Sequence, residues 1–482
     1  MSWLEEERPF PFTADHPRFR IEGWSELLGK DELIDAPDMV RHFLATGETG
    51  CGKSRSAVIP LLKGILRYPE EGPYAEYRKK GGLEERTELK PAAFVVDPKQ
   101  ELRAIVEKNA GGRNVIHFAY GETGPVVHFF EGLDLETLDA ADAVDMILAQ
   151  SQYYVQEQEK SDEPGWTTTA ANHVKDVVAI DVWLARNKGP HAVRDFWSKI
   201  AGGEKNDPED AHYKKKLEYD PVNYFRRIQI FFALAADDSP TTLGSYLEQC
   251  LTWGVPGDLQ MRLITLIGMY HSTKSGVLYS IDGILSELAA DELASCVSLN
   301  PLEAPPNAVS LFAVLNQGDV VVYTPTPYTS SVADTIARCI KTKFFDFAFA
   351  RSNKVRPFFY VVDEAHRFLS AGEEDGEQGL LDRCRAYRAG VVLASQSLAS
   401  MAFRLQNTLA LQIVLNNCGN SLFFRTSDVQ TQENLRERIP QAPMPDRPHV
   451  VRVRPLASLP VGCCYALRAN GAWGLFQVHL PE

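Results

Sequence analysis

The sequence predicts an α/β fold with a mostly parallel central sheet, interrupted by an inserted all-helical domain. Three observations predict it. A glycine-rich loop, Gly47 to Ser54, lies between a short apolar segment and an amphipathic one. Several later apolar runs end in a carboxylate or an amide, the pattern of strands buried on both faces. Between about 150 and 308 such runs are missing and helical periodicity takes over.

At 482 residues the chain exceeds one ordinary compact core, so two or three domains, or one domain with a large insertion, are expected. Its hydrophobic share of 44% and charged share of 24% are globular values. No run approaches the ~18 apolar residues of a membrane span, and the acidic start Met1–Glu7 is not signal-like. A cytoplasmic protein without an integral membrane segment is therefore expected. The eight cysteines are scattered without a C-x-x-C pair, which suits a reducing compartment and buried free thiols. A net charge of −14 argues against wholesale coating of nucleic acid but leaves room for a local basic channel. Candidate basic patches are Lys214–Lys216, Arg226–Arg227, and the set Arg383, Arg385 and Arg388; each also fits a solvated face.

Along the chain, residues 1–36 lack clear periodicity and read as an irregular arm. The first half of the sheet domain is expected over 37–149. There Met39–Thr46 reads as a strand and Arg55–Leu66 as a helix, despite Pro60 in its early turns. Between them, Gly47-Glu48-Thr49-Gly50-Cys51-Gly52-Lys53-Ser54 fits G-x-x-x-x-G-K-[ST] in the strand–loop–helix setting that confirms it. Glycines let backbone N–H groups converge on a phosphate, and the helix N-terminus favours negative charge there. Lys53 is expected to reach the β- and γ-phosphates of ATP, and the Ser54 hydroxyl to bind Mg2+. Ala92–Val96, ending in Asp97, and Asn114–Phe118 read as further strands. The helical insertion is placed at 150–308 and the second half of the sheet domain at 309–482. The latter holds strands at Asp319–Tyr323, Phe358–Val362, Gly390–Ser395 and Asn420–Phe424, a helix at Ser331–Phe347, and a closing hairpin of Cys463–Arg468 with Trp473–Val478. The acidic run Glu373–Glu377 reads as an exposed loop.

A phosphate loop alone does not hydrolyse nucleotide quickly; it needs a magnesium-organising acid and a residue that positions water. The apolar run before Asp363-Glu364 supplies both: Asp363 for the metal, and Glu364 as general base or water orienter. Gln396, closing the next strand, is expected to contact the γ-phosphate and the attacking water. Asp97 and Lys99 end another strand at the edge where ligands bind in open α/β sheets. Arg425 and Arg388 are the candidates for an arginine that stabilises phosphoryl charge across a subunit boundary.

These motifs, in this order, resemble the FtsK–HerA superfamily of hexameric pumping ATPases, most closely its conjugative coupling-protein branch of TraG/TraD type. The resemblance rests on the phosphate loop followed by Ser56-Ala57-Val58-Ile59-Pro60, and on Val96-Asp97-Pro98-Lys99-Gln100-Glu101-Leu102, with glutamine where glycine is usual. It continues through Asp363-Glu364-Ala365-His366-Arg367-Phe368-Leu369, Ala394-Ser395-Gln396-Ser397-Leu398, Asn416–Asn420, Phe423-Phe424-Arg425 and Leu459–Gly462. It implies a RecA-like P-loop NTPase fold, and it reads the helical block opening at Trp166 as the branch's inserted all-α domain. That insertion accounts for the 310 positions between Lys53 and Asp363. It also implies a nucleotide-binding set of Gly47 to Ser54 with Ser56, a homo-hexamer, double-stranded DNA as cargo, and partner proteins of the same system. Two departures stand out: coupling proteins usually begin with transmembrane helices and HerA proteins with a small β-barrel, and neither is expected here.

Three readings follow. The first is a ring-shaped motor threading DNA in conjugation, mobile-element processing or phage defence, gripping phosphates without sequence preference. The second takes Asp363-Glu364-Ala365-His366 as the motif of a DEAH-type helicase, for which a second motor lobe is missing. The third is a nucleotide-switched subunit that recruits protein cargo or effectors.

Overall fold

A computed structural model of the protein describes residues 19–21, 24, 32–34, 36–68, 90–151, 153–154, 165–201, 217, 219–236, 241–269, 271–326, 330–351, 356–370, 376–405, 407–439, 455–469 and 473–477. They divide into two compact units. The first draws on Met1–His117, Leu311–Pro325 and Lys341–Glu482, and the second on Phe118–Ser310 and Thr326–Ile340.

The strands, in chain order, are β1 (Phe19–Ile21), β2 (Glu32–Ile34), β3 (Phe43–Thr46), β4 (Ala92–Val96), β5 (Val115–Ala119), β6 (Val126–His128) and β7 (Val297–Ser298). Then come β8 (Ala308–Val309), β9 (Val320–Thr324), β10 (Phe358–Val362), β11 (Ala389–Ser395), β12 (Asn420–Phe424), β13 (Cys463–Leu467) and β14 (Trp473–Gln477). Nine of them form one sheet in the order β14-β13-β12-β3-β11-β10-β4-β9-β5. The pairings of β12 with β3, β3 with β11, β11 with β10, β10 with β4 and β4 with β9 are parallel. The expected closing hairpin forms as the antiparallel pair β13–β14, joined to the sheet by antiparallel pairing of β13 with β12.

These strands are apolar throughout because both faces are covered. On one face, Ala93, Val95, Phe359, Val361, Val392 and Ala394 join a core with Leu61, Leu62, Ile65 and Leu66 of the helix Ile59–Arg67. Gly64 of that helix is held by close approach: a Cβ there would lie 2.6 Å from Ile21 Cδ1 and 2.7 Å from the Arg20 carbonyl oxygen. On the other face, Phe94 stacks on Tyr360 at 5.4 Å and packs against Phe344, which also meets Phe358. Pro60 is accommodated because the chain leaves the phosphate loop in a wide π-type turn, Ser54–Val58, before the α-helix begins.

Within the stretch read as an irregular arm, the structure pairs β1 with β2 as a short antiparallel ribbon. The second unit is mainly helical, with helices including Ala140–Leu148, Gly165–Lys188, Pro190–Ala201, Tyr224–Ala236, Thr241–Trp253, Gly257–Gly268 and His271–Leu288. It is not purely α: β6 pairs in parallel with both β7 and β8, and the unit opens at Phe118, ahead of the expected position 150.

Its core corrects one sequence expectation. Arg227, read as part of a basic surface patch, is buried and donates to Asp181 Oδ2 at 2.6 Å. Asp181 also accepts from Tyr224 Oη and Trp197 Nε1, each at 2.8 Å, and the guanidinium lies over the Tyr224 ring at 4.2 Å. Arg226 pairs with Asp291, so neither arginine is an uncommitted charge. Lys214–Lys216 and Glu373–Asp375 lie outside the described residues. Glu377, expected in an exposed loop, is buried instead and accepts from Lys341 Nζ and the Ser370 N–H, each at 2.7 Å.

Candidate active site

Five adjacent parallel strands, β12-β3-β11-β10-β4, each deliver a residue singled out from the sequence at the C-terminal end. In that spatial order they carry Arg425, the loop Gly47–Ser54, Gln396, Asp363 with Glu364, and Asp97 with Lys99. At ~4.8 Å between strands the whole set spans about 19 Å. Sequence spacing could not give this order, because it depends on which strands pair.

The loop's shape follows from its glycines. Gly50 and Gly52 take φ of +78° and +98°, where a side chain is strained. Gly47 has no room: a Cβ would lie 2.6 Å from Phe424 Cβ and 2.8 Å from Cys51 Sγ. Lys53 Nζ donates to the carbonyl oxygens of Gly47 at 2.5 Å and Glu48 at 3.0 Å, so the ammonium is folded into the loop's concavity. Ser56 turns inward, its N–H donating to the Gly52 oxygen at 2.7 Å, and its carbonyl accepts from Trp24 Nε1 at 2.8 Å. Burial pushes the Cys51 thiol up, so it is a packed thiol rather than a nucleophile. The segment Val461-Gly462 buttresses the loop, with the Gly462 N–H donating to the Cys51 oxygen at 3.0 Å. No local pattern reveals that contact, since its partners are 411 positions apart.

Ser54 Oγ donates to Asp363 Oδ2 at 2.7 Å. These two hard oxygens suit Mg2+, which binds through one or two protein oxygens and completes its shell with water and phosphate. Among the described residues no cluster of three or more His, Cys, Asp or Glu forms a protein-only metal cage. A magnesium ion held jointly by Ser54, Asp363 and a nucleotide is consistent with that donor set.

Glu364 follows in a left-handed backbone conformation, φ +54°, uncommon for a residue with a side chain and typical of strained functional positions. Its Oε2 accepts from Gln396 Nε2 at 3.2 Å and lies 3.7 Å from His366 Nδ1. Its Oε1 meets Lys99 Nζ at 2.7 Å. Burial alone would raise the Glu364 carboxyl; the Lys99 ammonium outweighs it and holds the carboxyl below its usual range. The group is an anion poised beside an amide, as a water-orienting base requires. His366 is lowered by burial, so it stands neutral near pH 7.

Asp97, by contrast, is used up structurally. Its carboxylate accepts the N–H groups of Glu101, Leu102 and Arg103 at 3.1, 2.8 and 2.9 Å, capping the helix Leu102–Asn109. Arg425 Nε donates to Glu48 Oε1 at 2.6 Å, and the Glu48 N–H to the Arg425 oxygen at 2.9 Å, so this arginine sits on the phosphate loop of its own subunit. Arg388 precedes β11 and lies at the opposite end of the strand from Gln396, about 26 Å away at 3.3 Å per residue. It is not part of this edge.

No protein-family model matches the chain, and no curated protein matches it in sequence. Solved structures do. The plasmid coupling protein TrwB in complex with the ATP analogue ADPNP is 13% identical with a TM-score of 0.54, the match covering 93% of this chain and 88% of that one. TrwB in complex with ADP and Mg2+ gives 13% identity and a TM-score of 0.52 over 93% and 88%. VirB4 of Thermoanaerobacter pseudethanolicus gives 12% and 0.50 over 98% of each chain. The chain has the P-loop ATPase fold of the conjugative coupling protein TrwB and of VirB4.

Proposed function

We propose that the protein is an ATP-hydrolysing motor that moves double-stranded DNA, working as a homo-hexameric ring in conjugative transfer, mobile-element processing or phage defence. One observation carries the hydrolytic part: residues 309 positions apart, Ser54 and Asp363, meet at 2.7 Å, with Glu364 and Gln396 paired beside them. The likeness of fold to the conjugative coupling protein TrwB supports the motor part, as does the order of the sequence motifs. TrwB is known bound to an ATP analogue and to ADP with Mg2+, which supports the same ligands here.

In this reading the backbone N–H groups of Gly47–Ser54, with Ser56 behind them, cradle the phosphates, and Lys53 turns from its loop carbonyls to the β- and γ-phosphates. Ser54 and Asp363 hold Mg2+, which when bound offsets phosphate charge. Glu364 accepts a proton from, or orients, the attacking water. Gln396 fixes the Glu364 carboxylate and reports the γ-phosphate to the rest of β11. Arg425 stabilises charge on the transferring phosphoryl group. Its ion pair with Glu48 favours a role at its own subunit's loop over one supplied across a boundary. Among the described residues no helix is long and apolar enough to cross a membrane.

The test is ATP turnover with and without duplex or single-stranded DNA, alongside particle mass with nucleotide. Duplex DNA should raise the rate and nucleotide should favour a ring. If neither duplex nor single strands raise it and no ring forms, the translocase fails and a nucleotide-switched subunit for protein cargo takes its place. Lys53→Ala should lower turnover by at least about 100-fold, the scale of losing a preorganised phosphate contact.

A further inference from the structure

Lys99 touches the acidic centre through three groups at once. Its Nζ lies 2.7 Å from Glu364 Oε1, 3.0 Å from Asp363 Oδ2 and 3.4 Å from Ser54 Oγ. The last two are the oxygens assigned above to magnesium, and they are themselves hydrogen-bonded to each other. The lysine's position is built rather than incidental. Asp97 anchors the turn by capping the next helix, and Gln100 holds φ +60°, so the backbone between them aims residue 99 across the neighbouring strand end. A lysine side chain is ordinarily a cation at neutral pH, and here it faces two carboxylates.

We infer that Lys99 is a tethered cation that competes with divalent metal for Ser54 and Asp363 and gives way when a metal–nucleotide complex arrives. The inference rests on the magnesium–nucleotide reading of this site and adds a switch to it. Mg2+ needs its oxygens at about 2.0–2.1 Å with nearly ideal geometry. A second cation bonded to the same Asp363 oxygen weakens that bond by sharing the charge and by repulsion. Lys99 can leave: its side chain is 29% exposed and hangs on a flexible four-carbon stem. The same movement takes the cation off Glu364 Oε1, so arrival of the metal also frees the base. Before then the base is clamped, and water that enters meets a neutralised carboxylate.

The experiment titrates Mn2+, an EPR-visible stand-in for Mg2+, into the full chain without nucleotide and again with ADP. Lys99→Met and Lys99→Gln, measured beside wild type, should bind Mn2+ at least about tenfold more tightly without nucleotide. The gain should shrink with ADP present and vanish when Asp363→Asn is added. Lys99→Arg, which keeps the charge, should track wild type. Binding of a fluorescent ADP in EDTA shows that the loop is intact in each variant. Equal or weaker Mn2+ binding by the uncharged variants overturns the inference, as does a gain that survives Asp363→Asn. Tight Mn2+ binding by nucleotide-free wild type overturns it whatever the variants do. If wild type binds ADP and Mn2+ together while the variants show no gain, only the role of Lys99 falls. If wild type binds neither, the nucleotide-site reading falls.

Discussion

Two residues in this site take backbone conformations that their side chains disfavour, and they do so for different reasons. Glu364 at φ +54° is turned so that one carboxylate oxygen faces Gln396 and the other Lys99. Gln100 at φ +60° shapes the turn that presents Lys99, and no side-chain contact of its own compensates within the described hydrogen bonds. A left-handed conformation costs a non-glycine residue about 1–2 kcal/mol. Gln100→Gly should therefore raise stability by up to about 1 kcal/mol after glycine's greater unfolded-state entropy is subtracted. Chemical denaturation checks it, and a loss of stability would mean that the glutamine side chain holds the turn. The departure from the usual glycine was visible in the sequence; its conformation was not. The position of Asp363 and Glu364 at the end of β10 was legible because an apolar run ending in two acids is a local pattern. Lys99 was seen only as a neighbour of that edge, since its partners come from strands far away in sequence.

At the level of elements, the sheet edge is organised by caps and close approaches. Asp97 satisfies three N–H groups at the start of an eight-residue helix, a length that is marginal without support. Asp97→Ala should cost about 1–2 kcal/mol in thermal or denaturant melts. It should also loosen Lys99 while leaving Lys53, Ser54 and Asp363 in place. The strands were legible from their apolar runs, and the first helix despite its proline. Arg226–Arg227 misled because charge pairs were read without their surroundings. Tyr224, Ile228 and Phe231 recur at helical spacing and put Arg227 on the apolar face, where Asp181 balances it. Gly462 against Cys51, and the order of the five strands, depend on long-range pairing that no window of sequence contains.

Across the whole molecule, eight free cysteines are buried and the aromatic cores are closed, so acid rather than oxidation is the more informative stress. His42 sits among buried groups, accepting the Val391 N–H through Nδ1 at 3.1 Å with Nε2 3.3 Å from the Leu381 oxygen. Desolvation lowers it to about 4 from an ordinary 6.5. The unfolded chain therefore binds a proton first as pH falls. The stability tied to the neutral ring is complete above pH 6.5 and is lost progressively down to about pH 4, on the order of 3 kcal/mol in all. Melting temperature against pH should show that loss, and His42→Gln should flatten it; an unchanged slope would place the acid sensitivity elsewhere. The architecture, two half-sequences of one sheet domain with a helix-rich stretch between them, followed from where strand patterns stop and resume. The boundaries did not, because helices and short strands at positions 118–149 carry no mark of the unit they pack into.

The central claim is that Ser54, Asp363, Glu364 and Gln396 form a hydrolytic centre rather than a binding site alone. The most direct measurement compares Mg2+-dependent ATP hydrolysis by wild type and Glu364→Gln, with nucleotide affinity determined on the same samples. The account predicts affinity unchanged within about threefold and turnover reduced about 100- to 10,000-fold, the range for loss of a positioned base. A Glu364→Gln protein that hydrolyses ATP at the wild-type rate would contradict it.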